Sequence, residues 1–154
     1  IVKDTAKVLD LADPTAKMSK SSPAGCVFLL DDPKVTRKKI MSAVTDSDRD
    51  IRYDPVDKAG VSNLLTLLSA FDGRSVEEVA SAYDGRGYGD LKKDVAEVVV
   101  DFCTSFRAQV DDLMSDPAEL SRLIRLGADR ARAAATPTLA AVYDRVGFAP
   151  LPAP

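Results

Sequence analysis

Apolar positions along the chain fall into helical patterns separated by polar, turn-rich stretches. The clearest lies at about 90–114, where Leu91, Val95, Val98, Val99, Phe102, Phe106, Val110, Leu113 and Met114 recur at steps of three and four. That spacing predicts one long helix with a wide buried face. Upstream, VSNLLTLLSAF at 61–71 predicts a strongly apolar helix stopped near Gly73. Ser75 with Glu78 predicts a capping box for a short helix, and Gly85, Gly87 and Gly89 predict a sharp turn after it. Asp31 or Asp32, followed by Pro33, opens another helix with a stripe of Val35, Ile40, Met41 and Val44. Asp116-Pro117 with Glu119 begins the last one by the same capping rules. Leu120, Leu123, Ile124, Ala128, Ala131 and Ala135 line it. Pro137 is expected to kink or end it, and Leu139, Val142 and Val146 carry the stripe to Gly147.

The remaining stretches lack such a pattern. Val2, Val8, Leu9 and Leu11 are too few to make a core, and Asp13-Pro14 interrupts regular structure. Residues 15–25 are small and polar, a loop. CVFLL at 26–30 is a short apolar segment, and 45–60 is a polar loop of a length that points to function. The fold class is therefore mainly α. An all-helical domain of five or six helices starts near Asp31, and what precedes it reads as the end of something else. The first residue is Ile1, and IVKDTAKVLDLADP reads like the middle of a longer protein.

With 154 residues the chain has room for one ordinary domain. Its net charge of -3 means that any nucleic-acid contact must come from a local patch. There is no histidine, so histidine acid–base chemistry and histidine metal sites are excluded within this sequence. Cys26 and Cys103 are far apart and not in metal-type spacing, which suits two small buried side chains of a reduced protein. No apolar run approaches the roughly 20 residues needed to span a bilayer.

Residues 15–23 read TAKMSKSSP. Lys17 and Lys20 flank Met18 and Ser19, and Ser21 and Ser22 follow. Two ammonium groups, several hydroxyls and free backbone N–H groups can converge on a polyphosphate. The same residues also suit a solvated linker, and on the five residues 17–21 alone both readings stand.

KMSKS at 17–21 matches the lysine–serine signature of class I aminoacyl-tRNA synthetases. DLADPTAKMSKSSP, LLDDPKVTRKKIMSAVTDSD, IRYDP, GVSNLLTLLS and GRGYGDLKKDVAEVVV, in that order, resemble bacterial tryptophanyl-tRNA synthetases from Asp10 to Val100. The resemblance implies an ATP-dependent tryptophan–tRNA ligase that makes tryptophanyl adenylate and passes the aminoacyl group to tRNA. It implies an α/β nucleotide-binding catalytic domain ending at residues 1–25, a helical anticodon-binding domain at 26–148 and a tail at 149–154. Lys17 and Lys20 are then the catalytic candidates, and Lys17, Met18, Ser19, Lys20 and Ser21 the ATP-binding ones. ATP is a substrate, with Mg2+ as its expected counter-ion and no protein metal ligand. The expected partners are tryptophan, its tRNA and a second subunit joined through the catalytic domain, in the cytoplasm and without a membrane. The family's histidine-containing nucleotide signature and indole pocket are not in this sequence, so it reads as the C-terminal portion. Two rivals are a catalytically silent tRNA-binding module and a class I ligase for another amino acid.

For tRNA, the resemblance points to the loop residues Asp46, Ser47 and Asp48 and to Lys92-Lys93 at a helix start. All five also fit an ordinary surface. Arg37, Lys38 and Lys39 read as a solvated helix face. Arg52, Tyr53 and Asp54 read as an Arg–Asp pair pinning the long loop over a packed tyrosine. The arginines at 122, 125, 130 and 132 read as solvation with salt bridges.

Overall fold

The computed structural model describes residues 7–149, and among them there are five helices and no strand. These are α1 (Pro33–Met41), α2 (Ala59–Asp72), α3 (Val76–Ser81), α4 (Tyr88–Ser115) and α5 (Pro117–Val146). The mainly helical reading holds. The chain divides into two compact units, Ile1–Ala108 and Gln109–Pro154.

In the first unit α2 is the central element. Val61, Leu64, Leu65 and Leu68 are buried, and so are Ser62, Asn63 and Thr66, so the helix is covered on most sides. Each fully buried leucine or valine contributes about 1.5–3 kcal/mol relative to exposure. Val76 and Val79 of α3 and Leu91, Val95 and Val99 of α4 complete the core. The capping box of α3 is present as the sequence predicts: the Ser75 hydroxyl accepts from the Glu78 amide, and the Glu78 carboxylate accepts from the Ser75 amide. Gly73 ends α2 with a φ of 71°, the left-handed cap that glycine adopts without strain.

Gly60 is required by a close approach. A Cβ there would lie 2.1 Å from the Val44 carbonyl oxygen, so only glycine lets the chain after α1 cross the start of α2. The crossing is fixed by the Val44 amide, which donates to the Leu11 carbonyl at 2.8 Å.

Three readings of faces need correction. Along α1 and the residues just after it the buried face runs through Thr36, Ile40 and Ala43, whereas Val35, Met41 and Val44 are exposed. Steps of four and three define one face, and the small residues at 36 and 43 let the helix approach its neighbours closely. Lys39 is not a solvated residue: its ammonium donates to the Cys26 carbonyl at 2.8 Å and to Asp31 at 2.7 Å, above the Phe28 ring. In α4 the buried face is shorter than its pattern, with Phe102 and Met114 exposed.

The second unit holds the last turns of α4 and all of α5. Asp116 caps α5 by accepting from the amides of Ala118 and Glu119. Glu119 does not complete a capping box; its carboxylate grips Arg122 instead. Pro137 lies inside α5, which continues to Val146. The apolar residues Ile124, Leu139, Val142 and Val146 are exposed, and Tyr143 packs against Phe148.

Candidate functional site

Residues 17–21 sit on a turn whose base is tied down at several points. The Asp10 amide donates to the Ala16 carbonyl and the Met18 amide to the Val8 carbonyl, both at 3.0 Å. Leu9 and Lys17 thus face each other as an isolated antiparallel bridge. The Leu11 amide donates to the Gly25 carbonyl at 2.9 Å, which closes the far end of the loop.

Asp10 organises this closure. It is 2% exposed, and its Oδ1 accepts from the amides of Ala12 and Asp13 at 2.8 and 3.1 Å. A Cβ at position 25 would stand 1.5 Å from that same oxygen, so Gly25 is required where the two ends of the loop meet. Asp13 then accepts from the Thr15 hydroxyl and amide, which hold its carboxyl below the usual range.

Above this base Lys17, Ser19, Lys20 and Ser21 are exposed together. Met18 is different: it is partly buried and packs against the core, so its side chain anchors the turn. The Ser22 amide donates to the Ser19 carbonyl, and the Ser21 amide to the Ser19 hydroxyl, giving the turn its shape. Among the described residues no carboxylate is paired with Lys17 or Lys20. Two solvated cations on a fixed turn suit an anionic ligand with more than one charge.

A second cluster gathers the loop after α1. Lys58 is 1% exposed, and its ammonium lies 3.0 Å from both Asp46 and Asp48 and 3.1 Å from Asp50. It also donates to the Tyr88 hydroxyl at 3.0 Å, and Tyr88 donates to Asp46 Oδ1. Burial alone would lower the Lys58 pKa, but the tyrosine and three carboxylates outweigh it and hold the ammonium well above its ordinary value. Burial works against the Asp46 carboxylate too, yet Tyr88 and Lys58 keep it below the usual range. Arg52 and Lys58 do the same for Asp50.

The five tRNA candidates therefore stand differently. Asp46 Oδ1 already accepts from Lys58, Tyr88 and the Asp48 amide, and its Oδ2 is buried without a hydrogen-bond partner. Ser47 is exposed, and the Asp48 side chain is 64% exposed. Lys93 is exposed, whereas Lys92 is half-buried and burial lowers its pKa. Tyr88, the first residue of α4, joins the loop to the helix that carries both lysines. Beside it an open groove of about 670 Å³ is lined by Asp48, Arg49, Asp50, Arg86 and the glycine turn.

Sequence reasoning missed Lys58, Tyr88, Asp10 and Asn63. Signals for two of them were present: a lysine just before the most apolar helix, and an asparagine inside it. Tyr53 is exposed rather than packed, while Arg52 does pair with Asp54, at 3.5 Å, and with Asp50. Cys26 and Cys103 are buried free thiols, as expected.

Residues 2–104 match the family described as tRNA synthetases class I (W and Y). The chain belongs to this family. It is 52% identical over 152 residues to tryptophan–tRNA ligase 2 of Streptomyces avermitilis, covering 97% of this chain and 45% of that protein. It is 55% identical to the tryptophan–tRNA ligase of Mycobacterium leprae, covering 97% and 44%. The crystal structure of tryptophanyl-tRNA synthetase from Mycoplasma pneumoniae superposes with a TM-score of 0.87 at 32% identity, over 96% of this chain and 45% of that one. This class I synthetase chain thus spans just under half the length of the relatives it matches. Among the described residues no helix is long and apolar enough to cross a membrane.

Proposed function

We propose that the chain is the C-terminal portion of a tryptophan–tRNA ligase, supplying the lysine phosphate loop and the anticodon-binding domain. The observation that carries this reading is the exposed turn at 17–21, tied at its base by Asp10 and Gly25, in a chain about half identical to tryptophan–tRNA ligases. Residues 1–25 would end the catalytic domain and 26–148 would form the tRNA-reading part.

The tryptophan carboxylate attacks the α-phosphate of ATP; the bond to the β-phosphate oxygen breaks, leaving tryptophanyl adenylate and pyrophosphate. Negative charge grows on the pyrophosphate oxygens as that bond lengthens. Lys17 and Lys20 neutralise it, and Ser19, Ser21 and loop amides donate hydrogen bonds. Because the turn is tied at its base, little of this stabilisation is lost in ordering the loop. In the second step a ribose hydroxyl of tRNA displaces AMP. Mg2+ accompanying ATP would add to this neutralisation of phosphate charge.

For tRNA, Lys92 and Lys93 meet phosphate near the start of α4, and Ser47 and Asp48 offer hydrogen bonds to bases. Asp46 serves by holding the loop in place. The whole enzyme works in the cytoplasm as a homodimer joined through its catalytic domain. The direct test is the full-length protein in aminoacylation with each of the twenty amino acids. Charging of tryptophan alone supports the reading; charging of another amino acid, or of none, rejects it.

A further inference from the structure

Asn63 is the chain's only asparagine, and it sits 5% exposed in the second turn of the most buried helix. A primary amide there has lost its water and needs protein partners for both ends. It finds both on one residue. Its Oδ1 accepts from the Leu9 amide at 2.8 Å, and its Nδ2 donates to the Leu9 carbonyl at 3.0 Å. This is the exchange of two bonds that facing residues of an antiparallel ladder make, performed by a side chain.

The other side of Leu9 faces Lys17. Their bridge is made by the neighbouring residues, with Asp10 donating to Ala16 and Met18 to Val8. In such a pair the N–H and C=O of the central residue point away from its partner. Those are the two groups that Asn63 takes. The order is therefore α2, Asn63, Leu9, Lys17, with the Leu9 backbone held from both sides.

We propose that Asn63 is a positioning residue for the lysine turn. It locks Leu9 to α2 and, through the Leu9–Lys17 bridge, sets where Lys17 and Lys20 stand when the polyphosphate binds. Asn63 touches no substrate itself. The inference rests on reading Lys17 and Lys20 as the phosphate-binding lysines.

The test is tryptophan-dependent exchange of pyrophosphate into ATP by the full-length protein. Asn63→Ala lowers kcat about a hundredfold, the size expected when catalytic groups shift by about an ångström, while the KM for tryptophan stays unchanged. Placed in a chain that already carries both Lys17→Ala and Lys20→Ala, it adds little further loss, because the two groups it positions are gone; independent effects would multiply. Val79→Ala, which deletes core volume in α3, lowers stability and leaves kcat at the unsubstituted value. A normal kcat for Asn63→Ala, or multiplying losses, overturns the proposal. A normal rate for Lys20→Ala overturns the phosphate-loop reading beneath it. Hydrogen exchange on the unsubstituted chain keeps the question open to measurement even if Asn63→Ala does not fold. The Leu9, Asp10 and Met18 amides exchange slowly and the Lys20 amide fast; a Leu9 amide as fast as that of Lys20 overturns the lock.

Discussion

The ammonium of Lys58 donates to the hydroxyl of Tyr88 at 3.0 Å, thirty residues along the chain. The lysine heads α2 and the tyrosine opens α4, so this bond joins the central helix to the helix bearing Lys92 and Lys93. Asp46, Asp48 and Asp50 close around the same ammonium, which ties the loop between α1 and α2 to both.

Lys58→Met should therefore destabilise the chain by about 3 kcal/mol, because removing the cation leaves Asp46 half-buried beside two like charges. Tyr88→Phe should cost less, about 1 kcal/mol, since Lys58 keeps its carboxylates. Urea unfolding of the chain checks both. Equal costs for the two substitutions would show that the cluster is not centred on the lysine.

The same cluster sets a pH dependence. Asp46 and Asp50 are held below the ordinary carboxylate range in the folded chain. As pH falls, the unfolded chain takes up protons first, so their contribution is present above about pH 4 and lost below it. Lys58 is held above its ordinary value, so its contribution is full through neutral pH and declines only as pH rises beyond about 10. Unfolding free energies measured across pH should fall below about pH 4 and above about pH 10, and Lys58→Met should lessen the alkaline decline, leaving the share that the raised Tyr83 and Tyr88 hydroxyls contribute.

On tRNA, replacing Lys92 and Lys93 together by alanine should weaken binding of any tRNA to the full-length protein and flatten its salt dependence, since phosphate contacts release counter-ions. Asp48→Ala should instead reduce discrimination between cognate and anticodon-swapped tRNA by about 1–3 kcal/mol. Aminoacylation of both tRNAs at several salt concentrations separates the effects. Intact discrimination in Asp48→Ala would place base reading elsewhere, with the groove lined by Arg49 and Arg86 next in line.

What was legible in the sequence was local. Ser75 and Glu78 form their capping box, Asp32 and Pro33 start α1, and Gly73 stops α2, because each depends on neighbours within a turn. The KMSKS turn could be found for the same reason. Lys58 and Asn63 could not be assigned roles, because their partners are brought by the fold: Tyr88 from the start of α4 and Leu9 from 54 residues upstream. The face of α1 differs from its apolar pattern because hydrophobicity favours Val35 and Met41, while packing buries Thr36 beside Ile40. In α5 the apolar spacing gave a helix but not burial, since amphipathic spacing says nothing of what lies opposite.

This chain by itself should fold yet fail to catalyse tryptophan-dependent exchange of pyrophosphate into ATP, since it spans about 45% of its relatives' length. Robust exchange by the purified 154-residue chain would show that a complete nucleotide site lies within it.

The measurement that bears most directly on the central claim is the single-turnover rate of tryptophanyl adenylate formation by the full-length protein and its Lys20→Ala variant. If Lys20 neutralises the departing pyrophosphate, the variant loses about 3–4 kcal/mol of transition-state stabilisation, a hundredfold to thousandfold in rate, with tryptophan affinity unchanged. A variant that forms adenylate at the normal rate, or that loses tryptophan affinity instead, would contradict the account.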